Sequence, residues 1–219
     1  GAQVIRIVEN GVTFEMDLAA GQKTGHYCDQ RDNRLWLEAL SPRRRVLDTF
    51  CYSGGFGLHA ARGGAEHVTA VDSSAPALAL AKRNAELNGV PPERLELVQG
   101  DVLEFLDRCR REGRTFDIVV LDPPKLAPSR RDLDRAKGKY KQYQKAGLAC
   151  VARGGLLVTC TCSSAMAQAG ELLPVLRAAA SEMGRQVTLV RTSGAAADHP
   201  ISPSFPEGEY LQALWVAVS

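Results

Sequence analysis

Two cysteines stand at the end of one apolar run in the C-terminal third of the sequence. Leu156–Cys160 is typical of a buried strand, and Cys162 follows two residues after Cys160. Side chains two residues apart point to the same face of an extended strand, so both thiols are candidates for one site. A thiolate there could act as a covalent nucleophile, which splits one difficult reaction step into easier ones. The alternative is that a cysteine packs as a small apolar side chain.

The remaining cysteines give no sign of chemistry of their own. They are Cys28, Cys51, Cys109 and Cys150. No cysteine forms a Cys-x-x-Cys pair with histidine partners, and no set of His, Asp and Glu has ligand spacing, so we expect no metal. A chain of 219 residues does not depend on disulfides, and reduced thiols of a cytoplasmic enzyme are the expectation.

A rigid acidic motif follows another apolar run. Phe116–Leu121 predicts a strand, and Asp122-Pro123-Pro124-Lys125 comes directly after it. Prolines fix the backbone, so the carboxylate before them is held in one place. Dehydrogenases do not need such an element. Methyltransferases that act on base nitrogens or carbons do, because the motif fixes the target base beside the methyl group.

Three further strand ends carry ligand-type residues. A loop rich in small residues, Thr49–Gly57, follows the strand Val46–Asp48, and its glycines permit close approach of a ligand. Asp72 ends the next strand, where a carboxylate can accept both ribose hydroxyls. Asp101 follows the third strand and can accept from an adenine amino group. Each feature alone could be an ordinary turn or helix cap, but three in succession predict a nucleoside cofactor.

Alternating strands and helices must position these residues. From Val46 onward the pattern of strand, turn and helix repeats, which predicts a doubly wound, mostly parallel sheet of seven strands in the α/β class. Two short apolar runs, Val4–Val8 and Val12–Leu18, flank Asn10-Gly11 and predict a β-hairpin. Asp29–Leu40 is predicted to be a helix. Terminal strands are expected at Val187–Arg191 and Leu211–Val218.

Composition narrows the class of protein. The formal net charge is only +2, so any nucleic-acid footprint must be local. No apolar run approaches the roughly 18–20 residues that a membrane span needs, and the first residues show no signal-peptide pattern. We therefore expect a cytoplasmic protein without a membrane partner. The chain opens Gly-Ala-Gln without Met, which suggests a piece of a longer protein.

One segment supplies the local positive charge. Basic residues cluster between residues 130 and 145, with Tyr140 and Tyr143 among them, and only Asp132 and Asp134 oppose them. The basic residues are Arg130, Arg131, Arg135, Lys137, Lys139, Lys141 and Lys145. Cations for phosphates and rings for splayed bases are what single-stranded RNA requires. The alternative is a solvated helix face.

Taken together, these motifs resemble class I S-adenosylmethionine-dependent methyltransferases. More closely, the chain resembles the bacterial 23S rRNA cytosine-C5 methyltransferase family of the large-subunit methyltransferase I type. Matching motifs are Gly21–Gly25, Asp29–Arg31, Tyr52–Phe56, Asp72-Ser73, Asp101, Asp122–Lys125, Tyr140-Lys141, Cys162-Ser163, Ala197–Pro200 and Pro206–Gly208. Members also carry an N-terminal PUA domain and a small middle domain. The resemblance therefore implies that residues 1–28 are a remnant of the middle domain and that residues 29–219 are the methyltransferase domain.

The resemblance also implies roles for individual residues. It favours Cys162 over Cys160 as the nucleophile, with Asp122 as the second catalytic residue. The S-adenosylmethionine site is expected to comprise Lys23, Gln30, Arg31, Phe50, Tyr52, Ser53, Gly54, Gly55, Asp72, Ser73, Asp101, Val102 and Asp122. The RNA-binding residues are expected to be Pro123, Pro124, Lys125, Tyr140, Lys141, Asp198 and His199.

The implied reaction is methylation of cytosine carbon 5 in 23S rRNA through a covalent bond from Cys162 to carbon 6. Two other functions remain open at the level of sequence. An rRNA guanine N-methyltransferase of the same superfamily would need no cysteine, and a non-catalytic module could retain the fold and bind RNA. The sequence permits a homodimer without requiring one.

Overall fold

The computed structural model describes residues 4–17, 25–205 and 208–219. Its strands are β1 (Val4–Glu9), β2 (Val12–Asp17), β3 (Arg45–Thr49), β4 (His67–Asp72), β5 (Leu95–Gln99), β6 (Phe116–Leu121), β7 (Val151–Thr161), β8 (Val187–Ser193) and β9 (Gln212–Val218). Its α-helices are α1 (Arg31–Leu40), α2 (Gly55–Arg62), α3 (Ala75–Leu87), α4 (Val102–Glu112), α5 (Leu133–Cys150), α6 (Ser164–Gln168) and α7 (Leu172–Glu182). Single turns of 3-10 helix lie at Cys28–Gln30, Pro92–Arg94 and Arg130–Asp132.

The seven strands β3 to β9 form the mixed, mostly parallel sheet that the alternating pattern predicts. The described chain comprises two compact units, Gly1–Asp101 and Val102–Ser219. The predicted division at residue 28 has a different basis, the extent of the family's catalytic domain, and it stays a prediction. Predicted features at Leu18, at Gly21–Thr24 and at Pro206-Glu207 lie outside the described residues.

In the first unit, β3, β4 and β5 are parallel neighbours in the order β5-β4-β3. The Ser74 hydroxyl accepts a hydrogen bond from the Ala77 N–H at the start of α3, so Ser74 is the N-cap. Pro76 stands in the first turn, where its missing N–H costs nothing. Gly89 follows the helix with a φ of +63°, as expected for a C-terminal stop.

The predicted hairpin is present, with β1 and β2 paired from Val4↔Asp17 to Glu9↔Val12. Asn10 and Gly11 have φ values of +47° and +82°, the conformation of a two-residue hairpin turn. Val12 and Phe14 pack with Leu58 of α2 and Ala85 of α3 in one buried cluster. The hairpin is therefore part of the core of the first unit.

In the second unit, β6 and β7 are parallel, and β9 pairs antiparallel with both β7 and β8. The fifth predicted strand is longer than Leu156–Cys160, because β7 begins at Val151 and ends at Thr161. Thr161 pairs with Gln212 and Ser193 pairs with Ala213. The connection 194–211 therefore begins and ends at the sheet edge where β7 ends, one residue before Cys162.

No helix among the described residues combines the length and apolar character needed to cross a membrane. The six cysteines all lie in the described part of the chain, and none of them forms a disulfide there.

Candidate active site

The loop after β3 has an unusual backbone. Phe50 and Tyr52 have φ values of +57° and +47°, and Gly54 has a φ of +84°. Positive φ is uncommon for residues with a side chain, and such residues cluster where a loop must approach a ligand. The Cys51 N–H donates to the Val71 carbonyl at 3.1 Å, which anchors the loop to β4. We call Phe50–Gly55 the cofactor loop, after the role that the sequence analysis expects of it.

Asp72, at the end of β4, organises this edge of the sheet. Its Oδ2 accepts from the Tyr52 N–H at 2.9 Å, and its Oδ1 accepts from the Ser74 N–H at 2.9 Å. Each carboxylate oxygen has further lone-pair capacity, so both ribose hydroxyls can still be accommodated. The Asp72 carbonyl also accepts from the Gly100 N–H at 3.0 Å, and this bond holds the exposed Asp101 near the same edge. Ser73 is exposed beside them.

Buried side chains of α3 and α1 contact two other residues of the loop. The buried Ser53 accepts at its carbonyl from the Asn84 amide at 3.1 Å. Gly55 begins α2 against Arg34, and an added Cβ would lie 3.1 Å from the Arg34 Cδ. Even alanine at position 55 would therefore push against a buried side chain. Cys51 is also buried; burial and then the charges of Asp48 and Asp72 raise its pKa well above the ordinary value, so it is a thiol.

The segment before α1 approaches the same loop. The rings of Tyr27 and Tyr52 meet edge to face with centroids 5.6 Å apart. Gln30 is buried, and its Oε1 accepts from Asn33 at 2.6 Å, but its Nε2 has no hydrogen-bond partner within the described protein. A buried amide donor left unpaired is costly unless a ligand completes it. Arg31 lies partly exposed beside Asp32, at 3.4 Å, and Lys23 falls outside the described residues.

Sequence reasoning missed a buried ion cluster behind the cofactor loop. The Glu9 carboxylate accepts two hydrogen bonds from Arg34, at 2.6 and 2.7 Å, and lies 3.0 Å from the His26 Nε2. His59 Nε2 is 3.3 Å away. Burial alone would raise the pKa of Glu9, but the contacts with His26, His59 and Arg34 outweigh it and hold the pKa well below its ordinary value. The cluster joins the hairpin to α1 and α2.

In the second unit, Asp122 and Cys162 each follow the end of one of two neighbouring parallel strands. Leu121 ends β6 and pairs with Thr159 of β7, so both strands end at the same edge. The two candidate thiols differ sharply in environment. Cys160 lies within β7 and is fully buried at 0% exposure, whereas Cys162 lies beyond the strand and is partly exposed. The two-residue spacing suggested that both thiols lie on the same face of one strand. Because Cys162 lies beyond the end of β7, the two do not share a strand face.

Buried hydroxyls fix the backbone around Cys162. The Thr161 Oγ1 lies 2.7 Å from the Tyr140 hydroxyl and accepts from the Ser163 N–H at 3.1 Å. The Ser163 Oγ in turn accepts from the Ala127 N–H at 3.1 Å. This second bond joins the loop that follows Asp122 to the segment that holds Cys162. Burial raises the pKa of Tyr140 well above its ordinary value, and the nearby charges of Cys162 and Asp122 act in the same direction.

The other predicted RNA-binding residues occupy varied surroundings. Pro123 is buried, whereas Pro124 and Lys125 are exposed. Asp198 and His199 form a surface pair at 3.0 Å in the connection 194–211. Tyr140 is 1% exposed, and its expected part in RNA binding stays a prediction. Sequence reasoning missed Phe205, which is 62% exposed in the connection 194–211. Val102 begins α4 with a buried side chain.

Most of the cations between residues 130 and 145 already form ion pairs within the protein, so fewer of them are available for RNA than the composition suggests. Lys137 pairs with Glu171 at 2.6 Å, and Lys141 and Lys145 both pair with Glu182, at 2.8 and 3.0 Å. Arg135 pairs with Asp132 at 2.8 Å. Lys139 lies over the Tyr143 ring at 5.0 Å from its centroid. Arg130 and Arg131, before α5, are exposed and make no ion pair with the described residues.

No group of three or more His, Cys, Asp or Glu within residues 4–17, 25–205 and 208–219 is arranged to hold a metal.

Solved structures share this fold. The chain superimposes with a TM-score of 0.88 and 24% identity on a structure assigned as a SAM-dependent methyltransferase from Streptococcus mutans, over 99% of this chain and 56% of that one. A second methyltransferase structure, complexed with SAH, gives a TM-score of 0.85 at 24% identity, again over 99% of this chain and 56% of the other. These likenesses confirm the predicted class of fold.

Curated proteins are more similar in sequence. The chain is 42% identical over 208 residues to ribosomal RNA large subunit methyltransferase I of Photobacterium profundum, which covers 95% of this chain and 52% of that protein. The protein of the same name in Aeromonas salmonicida is 41% identical over 96% of this chain and 53% of that protein. The chain thus spans about half the length of these relatives. The family model described as S-adenosylmethionine-dependent methyltransferase matches residues 2–186, and the chain therefore belongs to this family.

Proposed function

We propose that this protein transfers a methyl group from S-adenosylmethionine to carbon 5 of a cytosine in 23S rRNA, with Cys162 as a covalent nucleophile. The observation that carries the proposal is the contrast between the two thiols of the β7 end. Cys162 is partly exposed beyond the strand, while Cys160 is sealed in the core. The similarity to proteins named ribosomal RNA large subunit methyltransferase I supports the class of substrate.

The residues of the first unit fit an S-adenosylmethionine molecule. Asp72 retains acceptor capacity for the ribose hydroxyls, and Asp101 is exposed for an adenine amino group. The unpaired Nε2 of Gln30 is a donor suited to the carboxylate of the methionine part. The cofactor loop supplies backbone groups for close approach, since Gly54 adopts a φ of +84°. When bound, the cofactor supplies an electrophilic methyl group.

Cys162 solves the main chemical difficulty. Carbon 5 of cytosine is a poor nucleophile. Addition of the Cys162 thiolate to carbon 6 would open the 5,6 double bond and give carbon 5 an electron pair for its new bond to the methyl group; the sulfur–methyl bond would break with its electrons left on sulfur, and SAH would be the leaving group. The proton at carbon 5 then passes to a base. Departure of the thiolate restores the double bond, and release of the proton from the base to solvent returns the enzyme to its starting state.

Asp122 orients the target cytosine during these steps. Pro123 and Pro124 fix the backbone after it, and the bond from Ala127 to Ser163 holds that loop against the Cys162 segment. A carboxyl group so placed can bind the exocyclic amine and N3 of the ring and stabilise charge that develops there. Fixed geometry matters because a displacement of about 1 Å can cost on the order of a hundredfold in rate.

RNA that contains 5-fluorocytidine tests the proposal, because fluorine at carbon 5 blocks the final elimination and leaves the protein attached. We expect the wild-type protein and Cys160→Ser to form this adduct, and Cys162→Ser to form none. Cys160→Ser is the matched control, since it removes the neighbouring thiol by the same change. An adduct through Cys160 would overturn the assignment of the nucleophile.

Analysis of methylated nucleosides by mass spectrometry tests the class of base. The expected product is 5-methylcytidine in 23S rRNA. A methylated guanosine would replace the proposal with the guanine N-methyltransferase, and RNA binding without any product would favour a non-catalytic module. An rRNA substrate also implies a cytoplasmic location for this bacterial type of protein.

A further inference from the structure

One buried side chain joins the N-terminal hairpin to the cofactor loop. Asn84, in α3, is fully buried at 0% exposure. Its Nδ2 donates to the Ser53 carbonyl at 3.1 Å, and its Oδ1 accepts from the Glu15 N–H of β2 at 2.8 Å. The two ends of a single amide therefore act on two segments that are far apart in the sequence.

A second asparagine one turn later serves the hairpin without contacting the loop. The Asn88 Oδ1 accepts from the Thr13 N–H at 2.8 Å, and its Nδ2 donates to the Thr13 carbonyl at 2.7 Å. Its remaining bond goes to the Asn84 carbonyl within α3. Asn84 and Asn88 thus make the same kind of contact with β2, and they differ in the bond to Ser53.

The bond from Asn84 to Ser53 acts on a stretch of the loop with positive φ values. Ser53 stands between Tyr52 and Gly54, both at positive φ. Gly54 adopts this conformation readily, whereas Tyr52 carries a side chain and holds it only where its surroundings enforce it. The Ser53 carbonyl is buried, and without its donor it would carry the desolvation penalty of an unpaired acceptor.

We propose that Asn84 is a positioning residue for the cofactor, which couples the order of the β1–β2 hairpin to the shape of the cofactor loop. The proposal rests on the assignment of Phe50–Gly55 as a cofactor-binding loop. A correctly held β2 keeps the Asn84 amide oriented, and the amide keeps Ser53 in place. Coupling of this kind is reciprocal, so cofactor binding must stabilise the hairpin as much as the hairpin favours cofactor binding.

Paired substitutions test the proposal. Asn84→Asp keeps an acceptor for the Glu15 N–H but replaces the donor to Ser53 with a second oxygen. Asn88→Asp makes the same chemical change against Thr13 and the Asn84 carbonyl, without a bond to Ser53. Calorimetry should show SAH affinity weakened by about tenfold in Asn84→Asp, within the range usual for coupled sites, and unchanged within about twofold in Asn88→Asp. Equal weakening in both variants, or none in Asn84→Asp, would overturn the proposal.

Hydrogen exchange of the wild-type protein gives a second test that needs no variant. Saturating SAH should slow exchange of the Glu15 amide, which Asn84 holds, more than that of the Thr13 amide, which Asn88 holds. Equal slowing of both amides, or no slowing at Glu15, would count against the coupling.

A third variant separates the inference from its basis. Asp72→Ala should abolish measurable SAH binding if this edge of the sheet holds the cofactor. Loss of binding in Asp72→Ala with unchanged binding in Asn84→Asp removes only the coupling. Unchanged binding in both variants removes the cofactor-loop assignment together with the inference.

Discussion

The hydroxyl of Tyr140 lies 2.7 Å from the Oγ1 of Thr161, the residue directly before Cys162. Thr161 also accepts from the Ser163 N–H on the other side of Cys162. The partly exposed thiol is therefore flanked by two residues whose positions depend on one buried pair of hydroxyls. Tyr140, which the sequence analysis expected to bind RNA, thus holds the segment of Cys162, the proposed nucleophile.

Tyr140→Phe should reduce methylation in a protein that still folds. The change removes a buried hydrogen bond, which costs about 1–3 kcal/mol where the partner is left unpaired. We expect a fall in kcat of roughly tenfold or more, because small shifts of a nucleophile are expensive. Unchanged SAH affinity measured in parallel shows that the first unit is intact. A variant with normal kcat would exclude the positioning role.

Ionisation of Tyr140 gives the same pair a signature in alkali. Burial raises the folded-state pKa of Tyr140 above its ordinary value of 10.0. A raised pKa favours the neutral form in the folded protein, so its contribution to stability is complete below about pH 10 and falls as the pH rises above that value. The free energy of unfolding of the wild type should therefore decline more steeply above pH 10 than that of Tyr140→Phe. Parallel curves would contradict this assignment.

Glu9→Gln should be among the more destabilising single changes in the first unit. It leaves Arg34 buried without its carboxylate, and loss of one partner of a buried pair costs about 3–5 kcal/mol. Glu15→Gln on the same hairpin is the matched control, since its partners Arg6 and Arg83 are both exposed and such pairs contribute about 0–1 kcal/mol each. Urea unfolding of both variants measures the difference. Similar losses in the two variants would show that the Glu9 cluster adds nothing specific.

The Glu9 cluster also predicts the response to acid. The folded-state pKa of Glu9 lies below its ordinary value of 4.5, so its stabilising contribution is present above that pH and is lost as the pH falls below it. Acid unfolding of the wild type should therefore be steeper below about pH 4.5 than acid unfolding of Glu9→Gln.

Two exposed arginines should account for more of the RNA affinity than the lysines of α5. Each cation that contacts a phosphate of single-stranded RNA changes the slope of log affinity against log salt by about 0.7. Arg130→Ala with Arg131→Ala should flatten the slope by about twice that amount. Lys141→Ala with Lys145→Ala should flatten it less, since Glu182 already pairs with both lysines. Equal effects would show that RNA displaces Glu182.

The sequence predicted the sheet because periodicity and turn residues are local signals. Asn10-Gly11 placed the hairpin turn, and apolar runs placed the strands. It did not predict which charged side chains form ion pairs. Glu182 is far along the chain from Lys141 and Lys145, and their spacing in the sequence does not indicate the contact. The sequence also did not predict that Cys160 is buried while Cys162 is partly exposed, because this difference depends on where β7 ends.

Phe205 should stack on RNA near the target nucleotide. It is 62% exposed in the connection 194–211. The residues that flank this connection pair with strands at the sheet edge where β7 ends, directly before Cys162. An exposed aromatic ring there is costly to hydrate, and every base offers a face to cover it. Stacking on an aromatic side chain contributes about 1–3 kcal/mol per base, so Phe205→Ala should weaken RNA binding by about tenfold.

Controls for Phe205 lie in the same connection. Ile201 is also exposed, at 49%, and Ile201→Ala removes apolar surface without removing a ring. Phe205→Tyr keeps the ring and should bind RNA within about twofold of the wild type, because stacking depends on the π-face. Fluorescence anisotropy with a labelled RNA oligonucleotide measures all three variants at one salt concentration. If Ile201→Ala weakens binding as much as Phe205→Ala, the connection contributes apolar contact in general, and Phe205 has no special part as a stacking platform.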